Sequence, residues 1–486
     1  MTSTTPHLLF INGEWQASAA GRYSEVHSPA NGDLLGRVTE ATAADVDLAI
    51  DAAEQAFASW RLTTALSRAN LLLKLNQLIE RDRDTLAHTI TREMGKPLKE
   101  AQAELDYCID LIRFAAENAR RIEGDIIPGS RRGEQILIQR LPHGVIAGIA
   151  AWNFPAALLG RKLGPALAAG NTVVLKPHEL TPLTGLALAG LIKEAGFPAG
   201  VINIVTGGIE VGQRLVASPK VKLVTMTGST AAGKKIMAAA ADTLKEVRLE
   251  LGGKAPFIVM EDADLDAAVE AAVKARFQNA GQICTSNERT LVHASIYDRF
   301  VEKLLARVKT LKVGDPLAAD TEMGPKVSAG ELEKVDAMVQ RARQQGARLL
   351  TGGERLHGEA YDRGHYYAPT VLDGVTGEMD IARQEVFGPV LSLFKVKDFE
   401  HALELANASD YGLSAYVFTN NLQYLMRLNT DLDFGEIYVN REGGEAAQGF
   451  HHGYGDSGLG GEDGKYGLDA YSRHKTVYLN AAKARD

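Results

Sequence analysis

Residues 144–176 read GVIAGIAAWNFPAALLGRKLGPALAAGNTVVLK, and this stretch decides the fold. A short apolar run of strand length opens it, Asn153 and Pro155 break it, and a leucine- and alanine-rich helical stretch follows. TVVLK (172–176) is then a second strand-length run. Strand, helix and strand, with no polar face on either strand, predict a parallel sheet covered by helices. The alternation continues through TGLALAGLIKEAG (184–196), VINIV (201–205), VGQRLVAS (211–218) and KLVTM (222–226). It restarts after Gly252-Gly253 with PFIVM, DAAVEAAVKARFQ and TLVHA, so a second α/β unit is expected to run to about Val439, with a boundary near residue 250. Residues 141–160 carry no Asp, Glu, Lys or Arg, but a membrane span there would hold Asn153 and Pro155 at its centre, which argues for a buried strand and loop.

Outward from this stretch, the first third reads mainly as helices. Val46, Ala49, Ile50, Ala53 and Phe57 recur at helical spacing behind a capping box of Thr42 and Asp45. A second helical region runs from about Leu71 to Ala116, broken at Gly95-Lys96-Pro97. Around Ser130 to Gly133 the chain turns polar and basic, then alternates in QILIQRL, as a hairpin or an excursion from the main body would. The end is a glycine-rich tail, GFHHGYGDSGLGGEDGKYG, followed by strand-like TVYLN. With 486 residues the chain has room for about two to four domains. Its formal charge of −8 supplies no global basic field for nucleic acid or anionic membrane. Two cysteines, Cys108 and Cys284, exclude a disulfide framework and fit a reducing, cytoplasmic setting. The opening residues show no secretory signal pattern.

Several residues have a chemical reading beside a structural one. Cys284, in the polar segment FQNAGQICTSNER, reads as a loop entering a helix, where amides and the dipole lower a thiol pKa. A buried small hydrophobe is its alternative, and Cys108, among helical apolar residues, takes that one. Glu250 ends an apolar run before two glycines, either as a desolvated general base or as a solvated cap. Asn153 is an oxyanion donor or a turn residue. Lys176 and Glu179 follow a strand, either at a ligand site or in a proline-bounded turn. Ser229 opens a helix after KLVTM, where free amides hold a pyrophosphate, and its capping role is compatible with that. Gly453, Gly455 and Gly458 match a dinucleotide fingerprint but follow no strand and open no helix, so this match is discarded. His451-His452 lacks further ligands at metal spacing, and no metal is expected.

The order of WNFP, KPHE, MTGSTAAG, LELGGKAP, GQICTSNER and EVFGPVL resembles the NAD(P)-dependent aldehyde dehydrogenase superfamily, from FINGEW to YSRHKTVYL. The resemblance implies an α/β fold with a Rossmann-like cofactor domain (1–117 and 141–250), a catalytic α/β domain (251–440) and a small antiparallel oligomerisation element (118–140 and 455–486) that builds dimers or tetramers. It implies Cys284 as the nucleophile, Glu250 as the base for thioester hydrolysis, Asn153 as the oxyanion donor, and Lys162 near the active centre. Ile149 and Trp152 would flank the dinucleotide, Lys176 and Glu179 the adenosine ribose, and Ser229 the pyrophosphate. Leu251 would lie by the nicotinamide, with Glu385 and Phe387 at its ribose. Glu179 favours NAD, while rotation of its side chain beside Lys176 leaves NADP open.

The segment YVNREGGEAAQGFHHGYGDSG looks like the lactaldehyde/glycolaldehyde dehydrogenase branch, which implies Glu445, His451 and Arg161 around the substrate hydroxyl. Thr285 stands where that branch carries Asn, and Gly443-Gly444 replace bulkier residues, so anionic aldehydes such as a semialdehyde or 3-sulfolactaldehyde are an alternative. Glu250 argues against a CoA-acylating enzyme, and the set Cys284, Glu250 and Asn153 argues against a non-catalytic structural descendant.

Overall fold

The computed structural model describes residues 5–480; residues 481–486 of the tail assigned to the oligomerisation element lie outside them. The run GVIAGI forms the strand Val145–Ile149 inside an eight-stranded sheet. Thr172–Lys176 and Val221–Thr227 pair with it in parallel, and Ile202–Ile204 and Glu246–Glu250 extend the parallel block on either side. Ile146, Ala147, Val173, Val174 and Leu175 are each at most 1% exposed. Burial on both faces is why these strands appear in sequence as continuous apolar runs. Beyond the parallel block the strands run antiparallel: Leu9–Ile11 and then Glu14–Gln16 on one side, and Gly458–Leu459, from the tail, on the other.

A seven-stranded sheet forms the second unit, with Ala255–Val259 and Asn287–His293 paired in parallel between Ser414–Phe418 and Val390–Val396. It ends at Glu436–Val439. The expected α/β fold with a small antiparallel element is what the structure shows. That element is a three-stranded sheet of Asp125–Pro128, Glu134–Pro142 and Ser472–Asn480, the last two in register from Ser472↔Pro142 to Asn480↔Glu134.

Residues 455–471 do not join this small sheet. Gly458–Leu459 instead borders Glu250, and a Cβ on Gly458 (φ +155°) would lie 2.3 Å from the Leu249 carbonyl. The glycines of the tail therefore serve close passage of the backbone past the first sheet. The N-terminal third also holds four short strands, from Leu9–Ile11 to Leu34–Thr39, before its helices begin. The Thr42/Asp45 capping box is present, and Gly95 ends the helix Arg83–Met94 at φ +90°. Among the described residues no helix is long and apolar enough to cross a membrane, and the stretch after Pro155 is the buried helix Ala157–Ala168.

Candidate active site

The carboxyl ends of the first sheet and loops of the second border a cleft of about 180 Å³. Trp152, Ser229, Leu251, Glu385 and Phe387 line it together with Asn153, Arg161, Cys284 and Glu445.

Cys284 arrives on a constrained loop. Asn279, Ala280 and Gly281 take φ of +50°, +51° and +71° in succession, and a Cβ on Gly281 would lie 2.3 Å from the Gly388 carbonyl. Fully buried Arg276 clamps the loop, donating through Nη2 to the Gly281 carbonyl (2.8 Å) and through Nη1 to that of Asn287 (2.9 Å). The chain then enters the strand Asn287–His293, so the helix expected after Cys284 is absent and no dipole lowers the thiol. Burial pushes the Cys284 thiol up, and His451 pulls against that rise.

Asn153 reaches the same loop, donating Nδ2 to the Gln282 carbonyl at 3.0 Å, which leaves a second amide hydrogen for an oxyanion. Its own loop is fixed by buried Glu104, which accepts from the amides of Ala156 (2.7 Å) and Ala157 (3.2 Å) and pairs with Lys96 at 2.6 Å.

Glu250 does not line the cleft. Neither of its carboxyl oxygens has a hydrogen-bond partner among the described residues, and Oε2 faces His451 Nε2 at 3.5 Å. Burial pushes Glu250 up to about 8, against the pull of His451. His451 is also off the cleft wall, 1% exposed, with Nδ1 3.2 Å from Glu436 Oε2 and 4.0 Å from Glu445 Oε1. Burial opposes its charge, yet Glu436 and Glu250 hold the imidazole well above its ordinary value. Tyr438 donates to the same Glu436 oxygen at 3.0 Å. Thr285 borders an adjoining cavity with Gly443 and Gly444, its carbonyl held by Tyr416 (2.9 Å) and Ser414 (3.2 Å).

Lys162 is buried beneath the site, donating to Glu462 (2.9 Å), Thr227 (2.9 Å) and Thr225 (3.2 Å). Its neighbour Arg161 meets Asp463 at 2.8 Å. Consecutive bases on one helix thus face consecutive acids of the tail. Sequence reading passed over Glu462, Asp463, Glu436 and Tyr107; an acidic pair within a glycine-rich stretch was the available signal.

For a dinucleotide the donor set fits. Ile149 and Lys176 end neighbouring parallel strands without lining the cleft, and Lys176 Nζ meets Glu179 Oε2 at 3.1 Å. A Cβ on Gly212 would meet only Ile149 and Lys176, at 3.9 Å, which leaves a shallow cradle beside them. Ser229 caps the helix Thr230–Ala241, whose first amides suit a pyrophosphate. Glu385 Oε1 accepts from the Gly253 amide at 2.8 Å, and burial, then Glu288, push it up to about 7. Glu288, also missed in sequence, accepts from the amides of Val386 and Phe387 (2.8 Å each) and pairs with Lys254 at 2.5 Å and Arg276 at 3.3 Å. It anchors the loop that carries Glu385 and Phe387.

The profile of the aldehyde dehydrogenase family matches residues 15–477. The 3,6-anhydro-alpha-L-galactose dehydrogenase of Vibrio sp. (strain EJY3) is 44% identical, over 97% of this chain and 98% of its own. Lactaldehyde dehydrogenase of Escherichia coli (strain K12) is 44% identical, over 99% and 100% respectively. A crystal structure of lactaldehyde dehydrogenase from Escherichia coli superposes with a TM-score of 0.96, covering 98% of this chain and 100% of that one.

Proposed function

The chain belongs to the aldehyde dehydrogenase family, whose enzymes use NAD(P), and on that premise we propose that it oxidises a small hydroxylated aldehyde to the carboxylic acid. The observation that carries this reading is the convergence of Cys284, Asn153, Arg161 and Glu445 on one cleft that Leu251, Glu385 and Phe387 also line.

The Cys284 thiolate attacks the aldehyde carbon, and the thiohemiacetal oxyanion takes donation from Asn153 Nδ2 and the Cys284 amide. The nicotinamide supplies the hydride acceptor when it is bound. Glu250 leaves His451, reaches the cleft and takes a proton from the water that hydrolyses the thioester. Lys162 and Glu462 tune the charge near Glu250 without touching substrate. Ile149, Trp152, Lys176, Glu179, Ser229, Leu251, Glu385 and Phe387 would hold the cofactor, and the carboxylate of Glu179 would repel a 2′-phosphate and so favour NAD over NADP.

Arg161 and Glu445 on the cleft wall contact the substrate hydroxyl, with His451 and Thr285 supporting them. Relatives named for lactaldehyde and for 3,6-anhydro-alpha-L-galactose support a hydroxylated class. We assign residues 1–117 and 141–250 to the cofactor unit and 251–440 to the catalytic unit of a cytoplasmic homo-oligomer. The three-stranded sheet, with Ile126 and Tyr478 exposed at 73% and 69%, is its contact surface, in a dimer or a tetramer.

The test is initial rates of NADH and NADPH formation across L-lactaldehyde, glycolaldehyde, succinate semialdehyde, 3-sulfolactaldehyde and benzaldehyde, with Cys284→Ala as control. Best turnover on the two hydroxyaldehydes with NAD is expected. Preference for the anionic pair would sink the substrate assignment and keep the chemistry.

A further inference from the structure

Arg161 reaches the cleft with its charge already met. Its Nη2 lies 2.8 Å from Asp463 Oδ2 and donates to Tyr107 Oη at 2.8 Å, and Tyr107 Oη donates to the same Asp463 oxygen at 3.1 Å. The Arg161 and Asp463 side chains are 6% and 2% exposed, so the pair is withdrawn from water. Asp463 holds a left-handed φ of +65°, a conformation that non-glycine residues seldom adopt. Nε of Arg161 is buried without a hydrogen-bond partner among the described residues. The surroundings add no surplus of positive charge. Lys162 is met by Glu462, and His451 lies among Glu436, Glu250 and Glu445. Around the pair, the acidic side chains Glu445, Glu462, Asp463, Glu436 and Glu250 outnumber the basic Arg161, Lys162 and His451.

We propose that Asp463 is a specificity-determining positioning residue: by neutralising Arg161 it makes the guanidinium a donor for neutral hydroxyls, and the cleft disfavours aldehydes that carry a carboxylate or sulfonate. This rests on the reading that Arg161 faces the substrate. Without Asp463 the same guanidinium would be an anion clamp, because an unpaired Arg binds carboxylates and sulfonates through paired charged hydrogen bonds.

L-lactaldehyde and 3-sulfolactaldehyde form a matched pair that differs by a sulfonate. In Asp463→Asn the ratio of kcat/KM for the sulfonated over the neutral aldehyde rises about ten- to a hundredfold, the range for one unit charge at ~6 Å with an effective dielectric between ~40 and ~20. A ratio within about twofold of wild type overturns the proposal. Wild-type enzyme supplies a reading that does not depend on the variant folding. Raising NaCl from about 0.02 to 0.3 M screens the repulsion, so kcat/KM for 3-sulfolactaldehyde increases while that for lactaldehyde stays level. A fall with salt for the sulfonated substrate overturns the proposal. A wild type that prefers the sulfonated aldehyde at low salt also overturns it. Failure of the underlying reading looks different: Arg161→Gln would leave KM for lactaldehyde unchanged.

Discussion

Replacing His451 by Asn removes the imidazolium that faces Glu250 Oε2 at 3.5 Å. Two unit charges at that separation interact by about 5 kcal/mol at an effective dielectric of ~20. Glu436 also holds His451, at 3.2 Å, and its negative charge cancels part of the field felt at Glu250. Retaining about a third to a half of the interaction gives ~1.5–2.5 kcal/mol, or about one to two pKa units. The sign follows from the charges. A cation favours the ionised carboxyl, so its removal lifts Glu250 from about 8 to roughly 9–10. At pH 7 the ionised fraction falls from roughly a tenth to a hundredth or less, and thioester hydrolysis slows about ten- to a hundredfold. Stopped-flow NADH formation from pH 6 to 10 separates this from loss of the nucleophile. A burst should persist, its rate reduced because the thiol also loses His451, while the steady-state limb moves alkaline and high pH restores turnover. A limb within ~0.3 units of wild type, with an intact burst, would refute the assignment of Glu250 as a base coupled to His451.

Other outcomes follow from the same geometry. In Gly253→Ala the new Cβ would lie 2.2 Å from the Cys284 carbonyl; kcat/KM should drop at least about a hundredfold, and unchanged kinetics would show that the loop yields freely. Iodoacetamide at pH 8 should label Cys284 at least about tenfold faster than Cys108, whose thiol burial pushes up to about 12; mass spectrometry of the labelled peptides decides. Glu288→Gln leaves Lys254 and Arg276 without their buried partner, which should cost about 3 kcal/mol of stability and raise KM for NAD through the Glu385 loop. Burial works against ionisation, but Lys254 and Arg276 hold Glu288 at about 2, below its ordinary 4.5. Its contribution is therefore complete above pH ~4.5 and lost as pH falls toward ~2, so the Tm gap to wild type should narrow only in acid; a gap that is level with pH contradicts the ionic account.

From sequence alone, local pattern determined the parallel sheets, because strands buried on both faces must be apolar throughout, as in GVIAGIA and TVVLK. It also singled out Cys284 and Asn153, and the family resemblance added Arg161 and Glu445; the cleft brings all four together. Only tertiary structure decided the electrical state of the site. Lys162 meets Glu462, and Arg161 meets Asp463, across some three hundred residues that no local spacing could link. Sequence placed a helix after Cys284 to lower its thiol; the chain there enters a strand, and burial raises the thiol instead. His451 was read as a substrate contact, and folding sets it between Glu436 and Glu250. The physical reason is common to these cases: apolar periodicity is written along the chain, whereas the charge a buried group bears depends on which partners folding places beside it and on how much water folding removes.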